Sequence, residues 1–253
     1  MERYKNMVKI FESFRYKYDI HNVFEDFLYL SAAAFSNAVD TVHYEKREAE
    51  YLRRIKRYKK QDYDKFPLLL SELVNCFEYG GYDDHLGKLF MELNLGDSFK
   101  GQFFTPYYVS KLMASMEFEE KNVRKLVEEK GYITLNEPTC GAGGMIIAAS
   151  EVVYNMGFNP QEVLRITSQD IDLRAVLMTF IQTTLLGLDN TVILGNSLSM
   201  EHRDVWRTPS RFIRTYASLE KLLNGTKEIT SESLDKQDEL MILQDNGQYV
   251  LAI

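Results

Sequence analysis

Between residues 136 and 144 the chain runs Asn136-Glu137-Pro138-Thr139-Cys140-Gly141-Ala142-Gly143-Gly144, a turn dense enough in glycine for main chain to approach a ligand that a Cβ would exclude. Tyr132 to Leu135 before it is apolar and β-branched, while Met145 to Met156 after it has helical periodicity. The turn therefore joins a strand to a helix, the place where doubly wound sheets hold ligands. Taken alone, such a segment is as readily a tight turn as a ligand loop. Asp170, in Ser168-Gln169-Asp170-Ile171-Asp172, ends a second strand and can accept both hydroxyls of a ribose. Asn196, in Gly195-Asn196-Ser197-Leu198, ends a third; its amide can donate to and accept from an adenine edge, or close an Asx turn. Upstream, Gly101-Gln102-Phe103-Phe104-Thr105-Pro106 offers Thr105 as an N-cap and Pro106 as a first helical residue. Phe103 and Phe104 are placed to pack on a ligand or to pin the loop into the core.

The elements that must position these residues follow from periodicity. Leu164 to Gln169 and Thr191 to Leu194 are strand-like, Leu173 to Leu188 is a long apolar helix, and Asn159-Pro160 is a turn. Strands alternating with helices imply a parallel sheet. Asp172 is a candidate cap for the helix after the second strand. The first hundred residues predict a helical bundle: a helix capped by Asn22, a second from Pro67 to Gly80-Gly81, and a third near Asp83 to Leu95. Between the first two, Glu45 to Lys60 carries eight Lys or Arg side chains with Tyr51 and Tyr58 interleaved. It is either a helix along nucleic-acid phosphates or, the favoured reading, a solvated helix with exposed ion pairs. Met200 to Gly225 is read as loop and helix. The polar run from Thr226 is followed by two apolar segments, Glu239 to Gln244 and Gln248 to Ile253, flanking Asp245-Asn246-Gly247, a β-hairpin signal. The expected division is 1–100 helical, 101–225 Rossmann-like and 226–253 linker and hairpin.

Bulk properties narrow the class. Apolar residues at 45% and charged residues at 26% argue for a folded, soluble chain. No apolar run reaches the roughly 20 residues that span a bilayer, and the start lacks a signal peptide's apolar stretch, so a cytoplasmic location is expected. The two cysteines, Cys76 and Cys140, sit in no metal-ligand spacing, and neither a disulfide scaffold nor a metal is expected. A net charge of −7 argues against wholesale wrapping of nucleic acid. The four histidines suggest no triad, Trp206 suits either an interface or a core, and Cys140 suits a small buried residue of the turn.

From about Leu86 to Leu198 these motifs, in this order, resemble the modification subunits of type I restriction systems and their adenine-N6 DNA methyltransferase relatives. In that family a GQFxTP segment precedes a Rossmann-like domain, a (D/E)PxCGxGG turn holds the methionine part of S-adenosylmethionine, and an acid after the second strand binds its ribose. The resemblance implies an α/β fold, an N-terminal helical bundle followed by a shortened S-adenosylmethionine-dependent methyltransferase domain. It also implies a cofactor site made of Phe104, Thr105, Pro106, Glu137, Thr139, Gly141, Gly143, Asp170, Ile171, Asn196 and Ser197. Two departures stand out: Asn196 occupies the place of a family Asp, and the catalytic (N/D/S)PP(Y/F) motif is missing, since the five prolines, at 67, 106, 138, 160 and 209, are never adjacent. Thr208-Pro209-Ser210-Arg211-Phe212 is its nearest substitute and lacks the Asn/Asp and the second proline. No catalytic residue is therefore assigned. The expected function is the S-adenosylmethionine-binding part of an adenine-specific DNA methyltransferase, inactive alone, which meets DNA through a specificity or second methyltransferase subunit. The alternative is a non-catalytic pseudo-methyltransferase acting as a binding, regulatory or restriction-interfering protein.

Overall fold

A computed structural model describes residues 4–95, 104–225 and 248–250. Gly101, Gln102 and Phe103 of the upstream motif, and residues 239–247 of the predicted hairpin, lie outside the described residues.

The N-terminal third is helical: α1 (Lys5–Arg15), α2 (Ile20–Asn37), α3 (Tyr44–Ile55), α4 (Lys65–Gly80) and α5 (His85–Glu92). Asp19, one turn before the expected Asn22, caps α2, its carboxylate accepting the Asn22 amide at 3.0 Å. Val23, Phe24, Phe27, Leu28 and Ala32 are buried as the spacing demands. Gly81, at φ +67°, ends α4 in a conformation that glycine adopts without strain.

Next come α6 (Tyr107–Glu117), α7 (Glu120–Lys130), β1 (Ile133–Glu137), α8 (Gly144–Asn155), the single turn α9 (Pro160–Val163), β2 (Leu164–Asp170), α10 (Leu173–Leu185) and β3 (Asn190–Asn196). The chain continues with β4 (Glu201–Arg207), α11 (Pro209–Gly225) and β5 (Gln248–Val250). The sheet order is β4-β3-β2-β1-β5. All neighbours run parallel except β4, which is antiparallel to β3. This is the expected α/β architecture: a mostly parallel sheet carrying helices, preceded by helices.

Two expectations need correcting, the loop-and-helix reading of 200–225 and, in part, the solvated basic helix, while the pairing of the hairpin arms lies outside the described residues. Glu201–Arg207 forms a strand where loop and helix were expected. As an edge strand it leaves three side chains exposed and three half-buried and buries only Trp206, so no apolar alternation announces it. Gln248–Val250, the second arm of the expected hairpin, lies parallel to β1 on the side away from β2, the position a fourth strand takes in a doubly wound sheet.

The basic stretch is solvated at Lys46, Arg53, Lys56, Arg57, Lys59 and Lys60, as the favoured reading expects, but not at its two remaining bases. Arg47 and Arg54, on α3, are buried. Arg54 donates to Asp26 at 2.8 Å and to Glu50 at 2.6 Å. Arg47 donates to Ser36, to Asp40 at 2.7 Å and to the Val205 carbonyl at 2.7 Å, and its guanidinium lies 4.0 Å from the centre of the Trp206 ring. It thereby ties the helices to β4. Trp206 is a core residue, flanked by Tyr29 and Phe180, and α2 packs directly on α10, so one apolar core runs from α1 into the sheet.

Candidate functional site

The site is built at the carboxyl ends of β1 and β2. Paired in register, these strands bring the glycine turn beside Asp170, whose carboxylate accepts the Gly141 amide at 2.9 Å and the Asp172 amide at 2.9 Å. Asp172 in turn caps α10, accepting the Arg174 amide at 2.9 Å, as expected. Burial pushes the Asp170 carboxyl above the usual carboxylate range, and the backbone amides of Asp172 and Gly141 pull it back. Each carboxylate oxygen keeps a lone pair for a further donor.

The turn itself is held by α10. Thr179 donates to the Gly141 carbonyl at 2.9 Å, and the buried Gln182 donates to the Ala142 carbonyl at 2.7 Å. Gln182 also donates to Asp84, the N-cap of α5, at 2.8 Å and accepts the Leu86 amide at 3.0 Å. One side chain thus locks α5, the turn and α10 together, a coupling that no local sequence pattern discloses. The two singled-out glycines differ. A Cβ on Gly141, at φ +53°, would stand 3.3 Å from the Phe104 ring, on the cleft side. On Gly143, at φ +93°, it would meet Thr179 at 3.1 Å, so this glycine serves the packing of the turn on α10.

Two clefts flank Gly141 and share Phe104. The first, of about 500 Å³, is walled by Phe90, Phe104, Gly141, Asp170, Asp172 and Met178, with Arg174 at its side. The second, of about 580 Å³, lies between the turn and the start of α6, with Thr105, Thr139 and Gly141 in its wall. Of the residues expected at the site, Phe104, Thr105, Thr139, Gly141 and Asp170 come together here. Pro106 lines a neighbouring groove and stands at the N-cap position of α6, so the helix begins one residue later than expected and Thr105 makes no cap. Ile171 is 59% exposed beyond Asp170 and lines neither cleft.

Glu137 is fully buried beneath the turn. Its Oε1 accepts the Thr139 amide at 3.2 Å, while Oε2 has no partner among the described residues. Burial pushes this carboxyl up to about 7. Asn196 and Ser197 stand at the end of β3 and line neither cleft. The Asn196 Oδ1 accepts the Leu198 amide at 3.0 Å, the Asx turn that the sequence left open. Gly195 before it answers to a bulge against β4, because a Cβ there would strike the Glu201 carbonyl oxygen. Residues that sequence reasoning did not assign to the site are Phe90, Arg174 and Met178 in the first cleft and Asp84 and Ser110 in the second. Only Asp84 left a signal, as an N-cap three residues before Gly87.

The sheet order, with the acid-held glycine turn at its strand ends, defines a Rossmann-like α/β fold. Residues 90–215 match the model of the N-6 DNA methylase family. The sequence matches no curated protein. A Listeria monocytogenes crystal structure provisionally described as a class I S-adenosylmethionine-dependent methyltransferase is similar at 14% identity and a TM-score of 0.33, over 73% of this chain. The chain spans 56% of that structure's length.

Proposed function

We propose that this chain is the S-adenosylmethionine-binding part of an adenine-specific (N6) DNA methyltransferase of the type I restriction-modification kind. The observation that carries the reading is the 2.9 Å hydrogen bond from the Gly141 amide to Asp170. It holds main chain and carboxylate side by side at the carboxyl ends of adjacent parallel strands, inside the segment that matches the family. The residues fit the cofactor: a carboxylate with lone pairs for ribose hydroxyls, a glycine whose Cβ would intrude on the cleft, and a buried Glu137 oxygen without a partner among the described residues. In this reading Asp170 and Ile171 hold the nucleoside, Gly141, Thr139 and Glu137 hold or shape the methionine side, and Phe104, Thr105 and Pro106 cover it. Asn196 and Ser197 reach the adenine edge through the amide nitrogen and hydroxyl left over by the turn. Gly143 keeps the turn seated on α10. When bound, the cofactor supplies a methyl group activated on a sulfonium.

Activation of the target base is a separate requirement. The adenine amine is a poor nucleophile, and with no adjacent prolines in this sequence the grip on a flipped base is assigned to a partner. Sequence-specific contact with DNA is likewise assigned to a specificity or second methyltransferase subunit, in the cytoplasm. Residues 1–100 then form the helical unit, 101–225 the cofactor unit and 226–253 the linker and closing strand. The missing proline pair also supports the second reading, a non-catalytic regulatory or restriction-interfering protein with the same pocket.

Titration calorimetry with S-adenosylmethionine and its demethylated product tests the shared claim. Saturable binding of both is expected, and silence with both would overturn it. Addition of a chain carrying NPPY or NPPF, with DNA, separates the two readings: methyl transfer supports the first and its absence with every such partner the second.

A further inference from the structure

The second cleft contains a polar pair outside the nucleoside site. Asp84 is 3% exposed and has no ion-pair partner among the described residues, since Lys88 pairs with its neighbour Asp83. Its Oδ1 is occupied by the Gly87 amide at 2.8 Å and Gln182 at 2.8 Å. Its Oδ2 accepts no hydrogen bond among the described residues. Opposite it, the fully buried Ser110 Oγ likewise has no partner among the described residues. Both converge on the first residue of α8: a Cβ on Gly144 would stand 3.5 Å from Asp84 Oδ2 and 3.6 Å from Ser110 Oγ. This 12-residue helix opens with amides that have no intrahelical acceptor and carries the positive end of its dipole there.

A buried carboxylate oxygen, a free hydroxyl and a helix N-terminus in one cleft are complementary to a zwitterion. The carboxylate suits an ammonium, and the amides and hydroxyl suit a carboxylate. The cleft adjoins the Asp170 cleft across Gly141 and Phe104, so a ligand that bridges them has a nucleoside at one end and an α-amino acid at the other. Resting on the cofactor reading above, we propose that Asp84 binds the α-ammonium of the ligand's amino-acid end, with Ser110 and the start of α8 facing its carboxylate. Burial already pushes the Asp84 carboxyl above its ordinary range, and a bound cation reverses that penalty.

The test compares S-adenosylhomocysteine with methylthioadenosine, which has the nucleoside and lacks the amino acid, on the full chain. Asp84→Asn suits it, because Asn caps helices as well as Asp and retains the Oδ1 that serves Gly87 and Gln182, altering only the open oxygen. Asp84→Asn is expected to weaken S-adenosylhomocysteine about 10- to 100-fold, the range of a charge-assisted hydrogen bond, and to leave methylthioadenosine unchanged. Equal losses for both ligands, or none for S-adenosylhomocysteine, would overturn the assignment while leaving the nucleoside site standing. Wild-type protein that binds neither ligand would take both readings down. A measurement needing no variant serves if Asp84→Asn does not fold. Wild type should bind the analogue of S-adenosylhomocysteine without its α-amino group about 10- to 100-fold more weakly, and equal affinity contradicts the proposal.

Discussion

The seam between α3 and β4 and the cleft around the glycine turn both bury charge, and they treat it in opposite ways. At the seam the guanidinium of Arg47 meets Asp40, Ser36, the Val205 carbonyl and the Trp206 ring, and Asp26 collects Arg54, Arg57 and Tyr58. The counter-charges are supplied by the chain itself, and the atoms left there without a hydrogen-bond partner among the described residues are the Arg47 Nε and Trp206 Nε1 donors. At the cleft, Glu137 Oε2 and Ser110 Oγ are buried with no partner, Asp84 Oδ2 is open, and no cation pairs with Asp170 among the described residues. Burying a charge costs several kcal/mol unless it is paired. A fold that pairs its charges at one place and leaves them incomplete at another distinguishes what holds it together from what awaits a ligand.

The comparison can be broken at either end. The largest effect is expected at the seam, where Arg47→Ala strands Asp40 in the interior and should lower unfolding stability by about 3–5 kcal/mol in urea. Substituting the exposed Arg53 in the same way should leave the midpoint in place. If Arg47→Ala is equally silent, the seam does not hold the two layers together.

Next comes Glu137. Its folded value of about 7 stands above the ordinary 4.5, so the folded state keeps a proton that the unfolded chain releases. Glu137 therefore lowers stability as pH rises from 4.5 to 7, by up to about 3 kcal/mol. Glu137→Gln should abolish that slope, measured as unfolding free energy at pH 5 and pH 8. A variant that tracks wild type at both would show that the buried oxygen carries no such penalty.

The smallest change is expected from Asp170→Ala, which should weaken S-adenosylmethionine by ~1.5–3 kcal/mol in calorimetry. Binding as tight as wild type would remove Asp170 from the site.

Much of this was legible in the residues because it depends on local chemistry. Strand, glycine turn and helix follow each other at 133–155 as periodicity required, and Asp172 caps α10 as its position before an apolar run suggested. The turn and Asp170, 29 positions apart, were linked by the architecture that alternating strands and helices imply, and they meet at 2.9 Å. Asn196 shows where local reading stops: one amide serves an Asx turn or a ligand with equal ease, and here its Oδ1 closes the turn while its nitrogen is left for the proposed contact.

What the sequence determined by itself was the family pattern, the parallel sheet and the position of the glycine turn on it, because periodicity and turn chemistry act between residues a few places apart. Only the tertiary structure decided that β4 is a strand, that Arg47 belongs to the interior, and that Gln182 and Asp84, 98 positions apart, clasp the turn. Those outcomes depend on which distant surface arrives opposite each side chain. An edge strand is fixed by its partner's free hydrogen-bonding groups, and a charged residue is buried only where distant parts of the chain supply its counter-charge.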